Sequence, residues 1–466
     1  MQQKDDKKIL WHTLAFMAFS TVWGFGNVIN GFSEYGGLKA IVSWILIFAI
    51  YFVPYALMVG ELGSTFKHAG GGVSSWIHET IGPKMAYYAG WTYWVVHMPY
   101  ISQKPNSTVI AASWALFQDK RASGMNTTVM QILCLVIFLF AMYLSSKGMG
   151  VLKRLSALAG STMFIMSMLF IAMMVAAPAL TGGTFMTIQW SLKTFIPTFD
   201  ASFFMGLSIL VFAVGGCEKI SPYVNKMKDP SRDFSKGMAA LALMVAVTAI
   251  LGTVALGMMF DSSHIPPDLM TNGAYYAFQR LGEYYHMGNF FVIVYALTNL
   301  IGQFSVMVLS VDAPLRMLLD SADTRFIPRK MFEKNEHGTY VNGHRLVMLI
   351  VCVLIIVPAF GIRNVDVLVR WLVKVNSVCM PLRYLWVFVA YIALKKAGDA
   401  YHAQYRFLKG RTAGVLVGVW CFGFTAFACI TGIYSDDLFQ LVLNIVTPFV
   451  LVGLGFILPW LAAREN

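Results

Sequence analysis

Apolar stretches close to twenty residues long follow one another from residue 10 to residue 462 of this chain. A helix needs about 20 residues to cross the hydrocarbon of a bilayer, and inside it every backbone polar group must be satisfied within the segment. The pattern predicts an all-α membrane protein of about twelve transmembrane helices. They lie near 10–32, 40–62, 86–117, 128–146, 156–180, 202–221, 237–260, 288–312, 346–362, 366–394, 412–432 and 439–462. Only 12% of the residues are charged, against about 25% in soluble domains, so most of this surface must face lipid. The first run is read as a span, because no small-residue cleavage site follows it. The longest polar stretch, 313–345, is too short to fold alone.

A net charge of +12 raises nucleic acid as a partner, but the positions of the charges favour membrane topology instead. With the N-terminal tail, 1–9, placed inside, 25 of the Lys and Arg residues fall on the inner side and six on the outer: Lys39, Lys120, Arg121, Lys193, Arg280 and Arg363. That bias predicts two cytoplasmic termini in a plasma membrane, with lipid and a small solute as partners and no nucleic acid. The six cysteines all sit in apolar stretches without paired or metal-ligand spacing, so they are expected to be free thiols. There is no Walker motif, no HExxH helix and no constellation of paired acids. No catalytic residue, metal or cofactor is expected, and the chain is read as a carrier, not an enzyme.

Two glycine clusters mark the place where a solute would sit. The first span contains Trp23-Gly24-Phe25-Gly26-Asn27 and the sixth Phe212-Ala213-Val214-Gly215-Gly216-Cys217-Glu218. Glycine weakens a helix, and unwound backbone inside a membrane persists where it lines a polar cavity. The freed N–H groups and carbonyls can then hold a carboxylate and an ammonium. Close helix packing through small residues would explain one cluster. Two clusters, each opening a five-helix half, favour an inverted repeat, 10–181 and 202–394, with interrupted helices 1 and 6.

Four cations fall inside the predicted spans: Lys104, Arg370, Lys374 and Arg383. A charge at mid-bilayer costs about 3 kcal/mol or more and persists beside a partner or a polar cavity. Tyr93, His97, Tyr100 and Lys104 recur at helical spacing and share one face. Arg370, Lys374 and Ser377 share another, with Arg370 placed as an anchor at the outer interface. Candidate acidic partners are Glu218 and Asp312, the latter four residues from Arg316. Buried cations outnumber buried acids, which favours a carboxylate-bearing substrate over a bare dication.

Three segments give the chain a family likeness. Gly60-Glu61-Leu62-Gly63 is followed by Gly70-Gly71-Gly72, Trp76 and Gly82-Pro83. Gly216-Cys217-Glu218 is followed by Asn225, Asp229-Pro230 and Arg232-Asp233. The third runs from Arg316 through Pro328, Phe332, Lys334-Asn335 and Gly338. Together they resemble the amino acid–polyamine–organocation superfamily of permeases, and most of all the bacterial glutamate:γ-aminobutyrate antiporter group. The usual Gly-Ser-Gly of helix 1 reads Gly24-Phe25-Gly26 here. The resemblance implies ten core helices in two inverted repeats plus two peripheral helices, 412–462. It places substrate between the breaks, with Gly24, Phe25, Gly26, Asn27, Phe212, Gly215, Gly216 and Lys104 around it. Phe212 matches the aromatic that covers substrate, and Glu218 the acid that helps close the cytoplasmic side. Tyr93, His97, Tyr100 and Lys374 fall on the pathway. The implied activity is exchange of an amino acid for its decarboxylation product or another amino acid, by alternating access. Ion-coupled symport and amine or polyamine transport are the alternatives. Some family members couple to protons through a lysine in helix 5; here Lys153 and Arg154 stand at that helix's start and no lysine follows within it.

Overall fold

The structure, a computed structural model, describes residues 9–68, 72–320, 322–360, 364–401 and 403–465, and these are helical with no sheet among them. Lys4, Lys7, Lys8, Gly70, Gly71 and Arg363 lie outside the described residues. Among the described residues nine helical segments are long and apolar enough to cross a membrane: Gly37–Thr65, Thr127–Ser145, Gly150–Leu180, Ala201–Lys226, Pro230–Gly257, Phe290–Leu319, Val365–Ala397, Arg411–Gly432 and Leu438–Glu465. Val341–Ile356 is a shorter apolar helix. Two further segments, Trp11–Val22 with Phe25–Glu34, and Pro83–Val95 with His97–Phe117, complete a series of twelve. These last two carry Asn27, Asn30, Gln103, Lys104 and Ser107, which face inward onto a common cavity. The segments are numbered 1 to 12 below in chain order.

Local chemistry starts and stops these helices. Pro83 and Pro230 occupy first-turn positions, where a missing N–H costs nothing. Asn126, Asp200 and Asp437 cap segment 4, segment 6 and segment 12 by accepting from backbone N–H groups of the first turn. Small residues then let the helices approach. A Cβ on Gly160 of segment 5 would collide with the Phe16 carbonyl of segment 1, and one on Gly63 of segment 2 with the Phe234 ring of segment 7. Glu61, in the same Gly-Glu-Leu-Gly motif, is buried and accepts from Lys395 Nζ of segment 10 at 2.5 Å and from the Phe407 N–H at 2.8 Å. The motif therefore does two jobs: its glycine packs segment 2 on segment 7, and its acid ties down the strap between segments 10 and 11.

Two of the helices outside this series, Val73–Thr80 and Leu269–Tyr284, sit in connections. The second packs on the upper half of segment 1 and on segment 8, and so forms one wall of the central cavity.

Candidate functional site

Segment 1 breaks at Trp23 and Gly24, both in extended backbone, between a helix ending at Val22 and one starting at Phe25. Segment 6 breaks at Gly215 and Gly216, after which the chain continues as a 3-10 helix, Cys217–Lys226. Gly216 has φ +111°, a conformation that a side chain disfavours. Gly215 meets the Tyr384 ring where a Cβ would stand. Asn27 joins the two breaks: its Nδ2 donates to the Val22 carbonyl and to the Ala213 carbonyl, each at 3.2 Å. Two carbonyls orphaned by the broken helices are thus satisfied by one side chain.

Around the breaks lies a cavity of about 160 Å³, walled by segments 1, 3, 5, 6, 8 and 10 and by the Leu269–Tyr284 helix. Gly24, Gly26, Asn27, Tyr100, Lys104, Phe212 and Gly215 line it. A Cβ on Gly26 would meet open space, so this glycine leaves room in the cavity and does not serve packing. The ring of Phe212 stands edge-on to Tyr100, with centroids 6.1 Å apart.

Among the described residues three cationic side chains reach the lining, Lys104, Lys219 and Arg383, and no Asp or Glu does. Lys104 Nζ donates to Gln303 Oε1 at 3.2 Å and lies 4.5 Å from the centre of the Tyr100 ring. Lys219 Nζ lies 5.2 Å from the same ring and donates to Ser310 Oγ at 2.5 Å. The Ser310 hydroxyl gives its own proton to the Val306 carbonyl, so it can only accept from the lysine. Arg383 is held from behind. Its Nε is 3.4 Å from Glu218 Oε1, Nη1 donates to His97 Nε2, and Nη2 reaches the Tyr384 hydroxyl at 3.3 Å. His97 Nδ1 is 2.6 Å from the Tyr93 carbonyl and must be its donor, which leaves Nε2 free to accept. Glu218 is wholly buried and also accepts from the hydroxyls of Tyr55 and Tyr93, the latter at 2.7 Å. This cluster forms a polar layer behind one end of the cavity.

Several sequence expectations change. Phe25 does not line the cavity; it is buried against Phe170, Phe278 and Tyr295, with ring centroids 4.8, 5.4 and 6.1 Å away. As the first residue of the helix after the break it points away from Gly24 and Asn27. Gly216, Glu218, Tyr93 and His97 stand behind the lining and not in it. Lys374 pairs with Glu34 of segment 1 at 2.9 Å, an acid not considered as a partner. Arg370 is exposed and donates to the Pro267 carbonyl. Asp312 and Arg316 do pair, at 2.7 Å. Lys219, counted among the inner topology charges, is 1% exposed and faces the cavity. Its position three residues beyond the Gly216 break was the available signal: a helix that resumes there turns that side chain back toward the site. Gln303 and Asn299 of segment 8 were missed because isolated amides in an apolar run carry no spacing pattern.

Comparison with known proteins gives the same architecture and a family. The solved structure of MhsT in complex with L-phenylalanine superposes with a TM-score of 0.58 over 99% of this chain and 100% of that one, at 13% identity. The aspartate/glutamate permease AcaP of Lactococcus lactis subsp. cremoris is 48% identical, covering 99% of this chain and 97% of AcaP. The glutamate/γ-aminobutyrate antiporter of Lactococcus lactis subsp. lactis is 22% identical, covering 74% of this chain and 68% of the antiporter. The amino acid permease family model matches residues 9–463. With interrupted segments 1 and 6 meeting at a central cavity, this chain belongs to the amino acid permease family, and is a multi-pass membrane transporter of small molecules and not an enzyme.

Proposed function

We propose that this permease carries acidic amino acids, aspartate or glutamate, through one alternating site at the two helix breaks. One observation carries the reading: among the described residues the cavity is lined by Lys104, Lys219 and Arg383 and by no carboxylate. Glu218 offsets Arg383 from behind, which leaves two cations for a substrate to balance. In a low-dielectric site, like charges repel far more strongly than in water, so a diamine is disfavoured and a dicarboxylic amino acid favoured. The similarity to an aspartate/glutamate permease supports the same choice. Transport is proposed to be exchange, with a second amino acid or a carboxylate-bearing decarboxylation product returning through the same site. The lack of a lysine within segment 5 beyond its start supports this mode. Glu218 and its tyrosines are proposed to close the site toward the cytoplasm, and both termini are proposed to be cytoplasmic.

The test is uptake of labelled aspartate by purified protein in liposomes. Competition by glutamate but not by asparagine, glutamine or putrescine is expected, with uptake stimulated by amino acid preloaded inside. Competition by putrescine in place of glutamate would refute the acidic reading. Full uptake into empty vesicles driven by an imposed ion gradient, insensitive to preloading, would replace exchange with symport.

A further inference from the structure

The cavity holds a pair of lysines that no internal acid satisfies. Lys219 is 1% exposed, its Nζ has one hydrogen-bond acceptor, Ser310 Oγ, and no carboxylate lies within ion-pair distance among the described residues. Lys104 has one acceptor, the neutral Gln303 amide, and likewise no acid. Each ammonium has three donors, so both retain unused hydrogen-bonding capacity toward the cavity. Both sit against one ring, Tyr100, at 4.5 and 5.2 Å from its centre. Two cations gathered about one aromatic ring repel one another and are costly to bury unless an anion completes the group.

We infer that Lys219 and Lys104, arranged about the Tyr100 ring, form the subsite for the side-chain carboxylate of the substrate and set the preference for acidic over amide side chains. The inference rests on the acidic-substrate reading above and adds the residues that enforce it. The substrate's own α-amino and α-carboxyl groups then fall to the helix breaks, where Phe25 and Gly26 offer unpaired N–H groups and the last turn of the first helix offers carbonyls. Arg383 is already held by Glu218, His97 and Tyr384, so it is the less available of the three cations. A carboxylate between two ammonium groups gains charge-assisted hydrogen bonds that a carboxamide cannot match. The amide's NH₂ would face donors and leave a lysine unpaired.

The experiment compares glutamate and glutamine, and aspartate and asparagine, in equilibrium binding to purified protein. Lys219→Met and Lys104→Met should each weaken glutamate by about 30-fold or more while moving glutamine by less than about threefold. Lys219→Arg should retain part of the acidic preference. Parallel losses for glutamate and glutamine would make the lysines structural partners of Ser310 and Gln303 and overturn the inference. A preference unchanged in both Met variants would overturn it equally. If the variants fail to fold, the wild-type protein supplies the readout: glutamate but not glutamine should protect Lys104 and Lys219 from an amine-reactive reagent, scored by mass spectrometry. Equal protection by the two ligands, or none, contradicts the subsite. A wild-type protein with no preference for acids at all would instead defeat the acidic-substrate reading.

Discussion

Single residues divide into those that touch the cavity and those that hold its walls. Gly216 belongs to the second group, because its φ of +111° and its contact with Arg383 Nη2, 3.1 Å from where a Cβ would be, both resist a side chain. Gly216→Leu is expected to abolish transport while the protein still reaches the membrane, since the strain of about 1–3 kcal/mol falls on the guanidinium that lines the site. Membrane-fraction blotting beside uptake separates the two effects. Phe25→Leu should do the reverse, costing on the order of 1 kcal/mol of stability and leaving aspartate affinity unchanged, as thermal denaturation and binding would show. Phe212→Ala, by contrast, removes a lining ring and should weaken binding without a matching loss of stability. The contrast between Phe25 and Phe212 shows the reach of the sequence. Glycine clusters reveal where a helix is interrupted, because only backbone freedom is involved. Which neighbouring side chain faces the gap depends on the rotation of the resumed helix, and no residue pattern near Phe25 encodes it.

Helices were legible wherever lipid dictated them and obscure wherever protein did. The apolar runs match segments 1 to 12 to within several residues, since the cost of exposing backbone to hydrocarbon is written along each run. The helices Val73–Thr80 and Leu269–Tyr284 fall outside every predicted span. They are short and mixed in polarity, and their helicity comes from packing on segments already in place. At this scale the pair Lys374–Glu34 joins the upper half of segment 1 to segment 10 beside the cavity-lining Val369 and Val373. It is partly exposed, so its strength is on the order of 1 kcal/mol. Lys374→Met should raise the labelling rate of a cysteine placed at Ser107 by about fivefold. The charge-reversed pair Glu34→Lys with Lys374→Glu should restore the slow rate. Unchanged labelling in Lys374→Met would remove this pair from the opening motion.

For the molecule as a whole, the distribution of charge fixes an expected orientation. Moving Lys219 from the inner loops to the cavity leaves 24 inner cations against six, so the bias survives. Cysteines introduced in 261–286 should react with an impermeant reagent in intact cells and those in 313–345 should not. The native background is low, because the six cysteines are free and five of them are buried. Reaction of the second stretch would invert the assignment. The cavity lined by cations and, among the described residues, by no acid carries a further consequence, electrical in kind. Alternating access opens a fixed site first to one bath and then to the other, so its surplus charge changes electrical distance without travelling far. Each elementary charge across the full field is worth about 2.3 kcal/mol per 100 mV. A bound acidic amino acid cancels one of those charges, so the loaded and empty carriers feel a membrane potential unequally. Voltage would then act as a second selector beside affinity, setting which face the empty site waits on.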